Sequence, residues 1–253
     1  MRSRRALVTG AAAGLAAGIA HVIAREAFAH VAITFRSTAP DATLAAIRAA
    51  GAEASAHRVD FCENEESVTG ALDEIVASHG PFDTLIHAVG PIVVKRFANL
   101  SAREAREMIA GNLESAILCA RAVMPAMRNH RFGRVVFFGA NGSSETRPAR
   151  GHAVYAAAKS AVTAFARTLA LEEARFGITV NVVEPGDIRD KTMTRDQARA
   201  REGRNPRGRP GSFEDVADVV AFLIAPERDF VTGAVVGVTG GLWEADERNA
   251  SSP

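Results

Sequence analysis

One tyrosine occurs in the 253 residues, in the stretch HAVYAAAKSA, and Lys159 follows Tyr155 by four positions. On a helix that spacing puts both side chains on one face, a turn apart. A phenol that gives up a proton near neutral pH needs its pKa brought down from about 10, and a neighbouring ammonium does this by favouring the phenolate. For an isolated pair at this spacing, an exposed lysine beside a half-buried tyrosine is the simpler account. The neighbours give the acid–base reading its weight: VVFF before the pair, ITVNVVEPG after it, and Asn112 midway along an earlier long helical segment.

A second constellation lies near the start, where VTGAAAGLAAG ends an apolar strand pattern and opens a helical one. Glycine at such a turn lets the backbone approach a phosphate, and the helix amino terminus offers unpaired N–H groups to a pyrophosphate. Gly10 and Gly14 fit a dinucleotide turn, while Gly and Ala could also serve tight packing of helix on sheet. At the end of the next strand pattern, AITFRSTAPD, an acid would bond the ribose hydroxyls, whereas an arginine would pair with a 2′-phosphate. Arg36 and Ser37 stand there, which points to NADP(H) over NAD(H). Asp60, after a third strand pattern, either bonds the adenine amine or caps the following helix.

These residues need a scaffold, and the pattern supplies one. Strand-length apolar runs at about 5–9, 31–35, 53–58, 83–87, 133–138, 178–183 and 234–239 alternate with helical segments at about 14–28, 40–50, 64–79, 101–129, 152–175 and 213–224. That alternation predicts an α/β fold, a doubly wound (Rossmann) seven-stranded parallel sheet with helices on both faces. The Arg-, Gly- and Pro-rich segment 187–212 interrupts the rhythm and lacks a core-forming stripe; it reads as a solvated loop or as a lid over a site at the carboxyl ends of the strands. The tail after Trp243 is expected to fray.

Composition excludes several other classes. The length, with 47% hydrophobic and 23% charged residues, predicts one domain over 1–253. Thirty basic against twenty-nine acidic residues give a formal charge of +1, so no nucleic-acid surface is expected. Cys62 and Cys119 have neither metal-ligand nor disulfide-framework spacing, which predicts no metal and favours a reducing cytoplasm. A basic start followed by an uncharged stretch over 6–24 can pass for a signal peptide, but its glycines and His21 dilute the hydrophobicity. The segment is expected to be part of the fold, and no membrane association is expected.

Taken together, TGAAAGLA at 9–16, FRS at 35–37, Asp60, MIAGNLESA with Asn112, Tyr155-x-x-x-Lys159, ITVNVVEPG, RPGSFEDVADVVAFL and VTGG at 238–241 resemble the short-chain dehydrogenase/reductase family, and within it the 3-oxoacyl-acyl-carrier-protein reductases. The resemblance covers nearly the whole chain. It implies that Tyr155 protonates a carbonyl oxygen as hydride arrives from nicotinamide C4, that Lys159 lowers the Tyr155 pKa and binds the nicotinamide ribose, and that Asn112 anchors a proton-relay water. It also implies cofactor contacts from Gly10, Gly14 and Leu15 at the turn, and from Arg36, Ser37, Asp60 and Phe61 around the adenosine. Ala88 and Gly90 would follow strand four, and Pro185, Gly186 and Ile188 would frame the nicotinamide. The segment 187–212 matches the family's substrate lid, with Arg195, Arg199, Arg204 and Arg207 able to meet an acyl carrier protein or to remain surface charge. A homotetramer packed through 101–129 and 152–175 follows from the same resemblance.

The chain also departs from the family pattern. Ala16 replaces the third glycine, and His87 takes the place of an asparagine that ties down strand four, which gives His87 a structural role. The expected threonine after Gly186 is shifted, with Asp190 near its place and Thr192 beyond. Aligned from Arg134, the family's catalytic serine becomes Ala140; counted back from Tyr155, it becomes Gly142. Two extra residues therefore sit in this loop: Ser143 or Ser144 takes over the lost hydroxyl, or Asn141 and the backbone do its work, or the enzyme is slow. The leading expectation is a ketoreductase acting on a 3-oxoacyl thioester or another small ketone. A cofactor-binding sensor or scaffold without catalysis is the alternative, opposed by the intact Tyr155, Lys159 and Asn112. An enoyl reductase is disfavoured, because that group spaces its tyrosine and lysine more widely.

Overall fold

The computed structural model of the protein describes residues 3–188, 190–203 and 205–241. Its strands are β1 (Arg4–Thr9), β2 (Phe28–Phe35), β3 (Glu53–Arg58), β4 (Thr84–His87), β5 (Gly133–Phe138), β6 (Ile178–Pro185) and β7 (Val235–Val238). They form one parallel sheet in the order β3-β2-β1-β4-β5-β6-β7. The helices that return the chain are α1 (Gly14–Ile23), α2 (Asp41–Ala49), α3 (Glu65–His79), α4 (Ala102–Ile109), α5 (Ser115–His130), α6 (Ala153–Glu173), α7 (Arg195–Arg199) and α8 (Phe213–Ile224). The strand order reverses between β1 and β4, and such a reversal opens a crevice outside the carboxyl ends of those strands.

Alternate residues of a strand face opposite sides of the sheet, so the apolar strands feed two cores. Leu7, Leu85, Val135 and Phe137 pack against α3, α5 and α6 through Leu72, Val123 and Val162. Ala6, Val8, Ile33 and Ile86 pack on the other face against α1, α2 and α8 through Ile19, Ile47 and Val220. The uncharged stretch 6–24 is thus the central strand and first helix. Asn181 ties β6 to the approach of β7, donating to the Val231 carbonyl and accepting from the Ala234 N–H.

Three segments differ from the pattern-based expectation. The first helix ends at Ile23 instead of near 28, because Ala27 adopts a positive φ of 57° and Phe28 enters β2, buried beneath the Arg4 guanidinium. The expected single helix over 101–129 is divided by a π-helical turn, Ala110–Glu114. Pro91 presses on this turn so closely that a Cβ at Gly111 would lie 2.5 Å from Pro91 Cδ. Extra-residue turns of this kind recur at functional sites, and this one carries Asn112. Finally, the segment 187–212 is not bare loop: Thr194 and Gln197 cap α7, and Met193 and Ala198 are buried. Arg195 and Arg209 both grip Asp215 in the first turn of α8. Arg204 and the tail from Trp243 lie outside the described residues.

Candidate active site

The turn between β1 and α1 holds Gly10 at φ 68° and Gly14 at φ 66°, a conformation that a side chain would strain. Ala13 precedes α1 without a side-chain cap, and the first turn carries no acid. Unpaired N–H groups and the positive dipole end are therefore left at this terminus. Gly14, Leu15 and Ala13 line a cavity of about 550 Å³ that also reaches Tyr155 and Lys159. Gly18 serves the other purpose considered for these glycines, since a Cβ there would collide with the Phe213 ring of α8.

An adjoining cavity of about 350 Å³ is lined by Arg36, Ser37, Asp60, Phe61, Ala88 and Gly90 among others. Arg58 Nε donates to the Arg36 carbonyl at 3.1 Å, so two guanidinium groups attend the end of β2 and β3. Asp60 Oδ1 accepts from the Cys62 N–H at 3.0 Å. The cap of α3 is Asn64, which accepts from the Ser67 N–H at 2.9 Å. The capping role considered for Asp60 is therefore not realised, because the chain makes a further turn before the helix begins.

Tyr155 and Lys159 both line the larger cavity from one face of α6, with Lys159 Nζ 5.8 Å from the centre of the Tyr155 ring. Lys159 is 5% exposed and donates to the Phe138 carbonyl at 2.8 Å. Burial, and then the charge of Lys191, push its ammonium down to about 8. The opposite wall brings Asn112 to the same point. Its Nδ2 donates to the carbonyls of Pro91 and Met108, both at 2.9 Å, while its buried Oδ1 has no partner. A Cβ at Gly90 would lie 2.5 Å from that Oδ1 and 3.0 Å from Lys159 Nζ. Only glycine leaves room between these two polar groups.

His87 lies behind this group and is fully buried. Thr9 Oγ1 lies 3.0 Å from its Nδ1 and Ser115 Oγ 3.0 Å from its Nε2, while Ser115 donates onward to the Gly111 carbonyl at 2.8 Å. Since the Ser115 proton is spent on Gly111, His87 donates through Nε2 and accepts at Nδ1 from Thr9. Burial, with the Lys159 charge second, lowers its pKa to about 3 and keeps the ring neutral. It joins β1, β4 and the π turn, which is the structural role expected for it.

The loop after β5 resolves the serine question in part. Ser143 and Asn141 line the cavity beside Ala140, whereas Ser144 is not among the lining residues. Ser143 Oγ accepts from the Ala140 N–H at 3.0 Å and donates to Glu184 Oε1 at 2.8 Å. Its proton is therefore directed away from the cavity. Glu184 Oε1 also accepts from the Ser144 N–H at 2.8 Å, and Oε2 from the Gly142 N–H at 3.2 Å. Glu184 was not singled out from the sequence, although an acid ending an otherwise apolar strand run was a visible signal.

At the other rim Pro185, Gly186 and Ile188 line the cavity together with Asp187 and Lys191. The Lys191 side chain covers Gly14, where a Cβ would lie 3.6 Å from Lys191 Cβ. Asp190 and Thr192 bond to each other, with Thr192 Oγ1 donating to Asp190 Oδ1 at 2.7 Å, and neither lines the cavity. Of the lid arginines, Arg195 is held by Asp215 and Asp218, and Arg199 by Asp196. Among the described residues there is no cluster suited to a metal ion and no helix long and apolar enough to cross a membrane.

These residues fit a nicotinamide dinucleotide. The uncapped α1 terminus suits a pyrophosphate, the basic end of β2 suits the adenosine, and the unpartnered Asn112 Oδ1 beside Lys159 suits a donor at the far end.

Comparison with known proteins agrees with this geometry. A family described as enoyl-(acyl carrier protein) reductase matches residues 10–243. The 3-oxoacyl-(acyl-carrier-protein) reductase FabG of Escherichia coli is 33% identical over 242 residues, 94% of this chain and 96% of that protein. Among solved structures, acetoin dehydrogenase from Enterobacter cloacae superposes with a TM-score of 0.86 at 25% identity, covering 100% of this chain and 99% of the other. A variant of actinorhodin polyketide ketoreductase with NADPH gives 0.83 at 30% identity, covering 95% and 97%.

Proposed function

Because the chain belongs to the short-chain dehydrogenase/reductase family, we propose that it is an NADPH-dependent ketoreductase that converts a ketone to a secondary alcohol, with a 3-oxoacyl thioester of acyl carrier protein as the leading substrate. The observation that carries this reading is Tyr155 in the cavity wall, a turn from the buried Lys159, with the glycine turn at the other end of the same cavity.

Bound along the two cavities, a reduced nicotinamide dinucleotide would supply the hydride. Tyr155 gives its proton to the carbonyl oxygen and is left as phenolate, which the nearby Lys159 ammonium favours. Asn112 Oδ1, buried and without a partner, holds a water that returns a proton from solvent by way of Lys159. The Ser143 hydroxyl donates to Glu184 and accepts from Ala140, so it turns a lone pair, not a proton, to the cavity. Proton donation thus falls to Tyr155, and Ser143 orients. Ser144, set away from the cavity, has no part in the step.

Arg36 with Ser37, supported by Arg58, favours a 2′-phosphate and hence NADP(H). The thioester reading is supported by the similarity to the Escherichia coli reductase. The likeness to an acetoin dehydrogenase and a polyketide ketoreductase keeps another small ketone as the second reading. Contact with a carrier protein would draw on exposed Arg207, since Arg195 and Arg199 are paired within the chain. A homotetramer packed through α4, α5 and α6 is part of the same reading, supported by the apolar groove of Phe97, Ile109, Val154 and Ala157. The substrate is tested by following NADPH oxidation with an acetoacetyl thioester beside sugar and polyketide ketones. Turnover of the thioester is expected; turnover of the others alone would move the assignment to the second reading.

A further inference from the structure

Glu184 is an acid almost without access to solvent, 5% exposed, at the end of β6. Nothing in the glycine turn or the tyrosine–lysine pair calls for it. Its carboxylate takes three hydrogen bonds from one short turn: Ser143 Oγ and the Ser144 N–H on Oε1, and the Gly142 N–H on Oε2. The turn is gripped from the other side by α6, where Ser160 Oγ, one residue beyond Lys159, donates to the Ser143 carbonyl at 2.8 Å. Gly142 sits at φ 80°, and a Cβ at Gly139 would lie 2.8 Å from Ser143 Oγ and 2.9 Å from Glu184 Cγ. The backbone is shaped to bring these two side chains together.

We propose that Glu184 is a positioning residue for the ketone-reducing site, fixing the 140–145 turn so that Ser143 Oγ, its proton bonded to Glu184, presents an acceptor oxygen at the cavity wall where Ala140 has no side-chain oxygen. The inference rests on the reading of this cavity as the reducing site. Each side chain needs the other. Without Glu184, Ser143 loses the acceptor of its proton, and the Gly142 and Ser144 N–H groups lose their partner. Without Ser143, Glu184 holds a turn that presents no acceptor oxygen to the cavity. The carboxylate is acceptor-only, which suits three converging donors. An amide would set its own N–H groups against one of them.

The test uses the full chain with Glu184→Gln, Ser143→Ala and the double variant, measuring NADPH oxidation with the best ketone, NADPH affinity by fluorescence titration, and hydrogen exchange over 139–147. Each single variant is expected to lower kcat about tenfold or more while NADPH affinity stays within about twofold. The double variant is expected to be no slower than the slower single, the sign of residues acting as one unit. Exchange over 139–147 is expected to quicken in Glu184→Gln, with the sheet unchanged. A Glu184→Gln variant as fast as wild type, or losses that multiply in the double variant, would overturn the inference alone. Wild type that binds NADPH but reduces no ketone would instead overturn the reading beneath it, and the inference with it. If Glu184→Gln does not fold, Ser143→Ala still decides: unchanged kcat there overturns the inference.

Discussion

Lys159 lies buried beneath Tyr155: Nζ lies 5.8 Å from the tyrosine ring centre while donating to the Phe138 carbonyl at the end of β5. The cation is placed by the sheet and needs no carboxylate partner, and burial lowers its pKa from 10.5 to about 8. A lysine in such a place changes charge within the range where the protein is handled.

This gives a pH signature. Between about 8 and 10.5 the unfolded chain binds more protons at this residue than the folded one, so its contribution to stability rises with pH. Below about 8 the folded protein carries the whole cost of a buried charge. Lys159→Met removes that cost, so thermal melts should show the variant gaining most on wild type at or below pH 7. The difference should shrink as pH rises through 8 towards 10.5. A difference independent of pH would place the ammonium in a solvated setting instead.

Arg36 lines the smaller cavity, with Arg58 bonded to its carbonyl. Replacing Arg36 by Asp puts a carboxylate where a 2′-phosphate would sit. The ratio of NADPH to NADH efficiency should fall on the order of 100-fold. Steady-state kinetics with both cofactors measures it, and an unaltered preference would remove Arg36 from the phosphate site.

Lys191 lays its stem over Gly14 and reaches the same cavity as Lys159. A cation over a pyrophosphate turn should strengthen cofactor binding modestly, because Lys191 is exposed. Lys191→Ala should weaken NADPH binding by about two- to fivefold at low salt, with the difference vanishing at high salt. Fluorescence titration at two ionic strengths checks this. Equal affinities at low salt would show the ammonium pointing elsewhere.

The sheet and the pairing of Tyr155 with Lys159 were legible because strand alternation and helical spacing are local, and each is repeated many times along the chain. The turn glycines were legible in kind, and the structure then separated Gly10 and Gly14, at positive φ, from Gly18, which packs on Phe213. What escaped depends on contacts between distant segments. The π turn around Asn112 packs Gly111 against Pro91, a contact made from outside the helix, and one extra residue hardly disturbs the periodicity of a long amphipathic stretch. The bond of Ser143 to Glu184 joins residues 41 positions apart. Helix α7 could have been found, since Thr194-x-x-Gln197 is a capping-box pattern, but the Arg- and Gly-rich surroundings hid it.

In the proposed carbonyl reduction, the proton comes from Tyr155. Removing only its hydroxyl, as Tyr155→Phe, leaves the ring, Lys159 and both cavities in place. The most direct measurement is single-turnover NADPH oxidation by wild type and Tyr155→Phe with the best ketone of the panel, alongside NADPH binding to each. A rate lowered by about 100-fold or more is expected, with binding within about threefold; reduction of the ketone by the variant at the wild-type rate would show that the proton comes from another group.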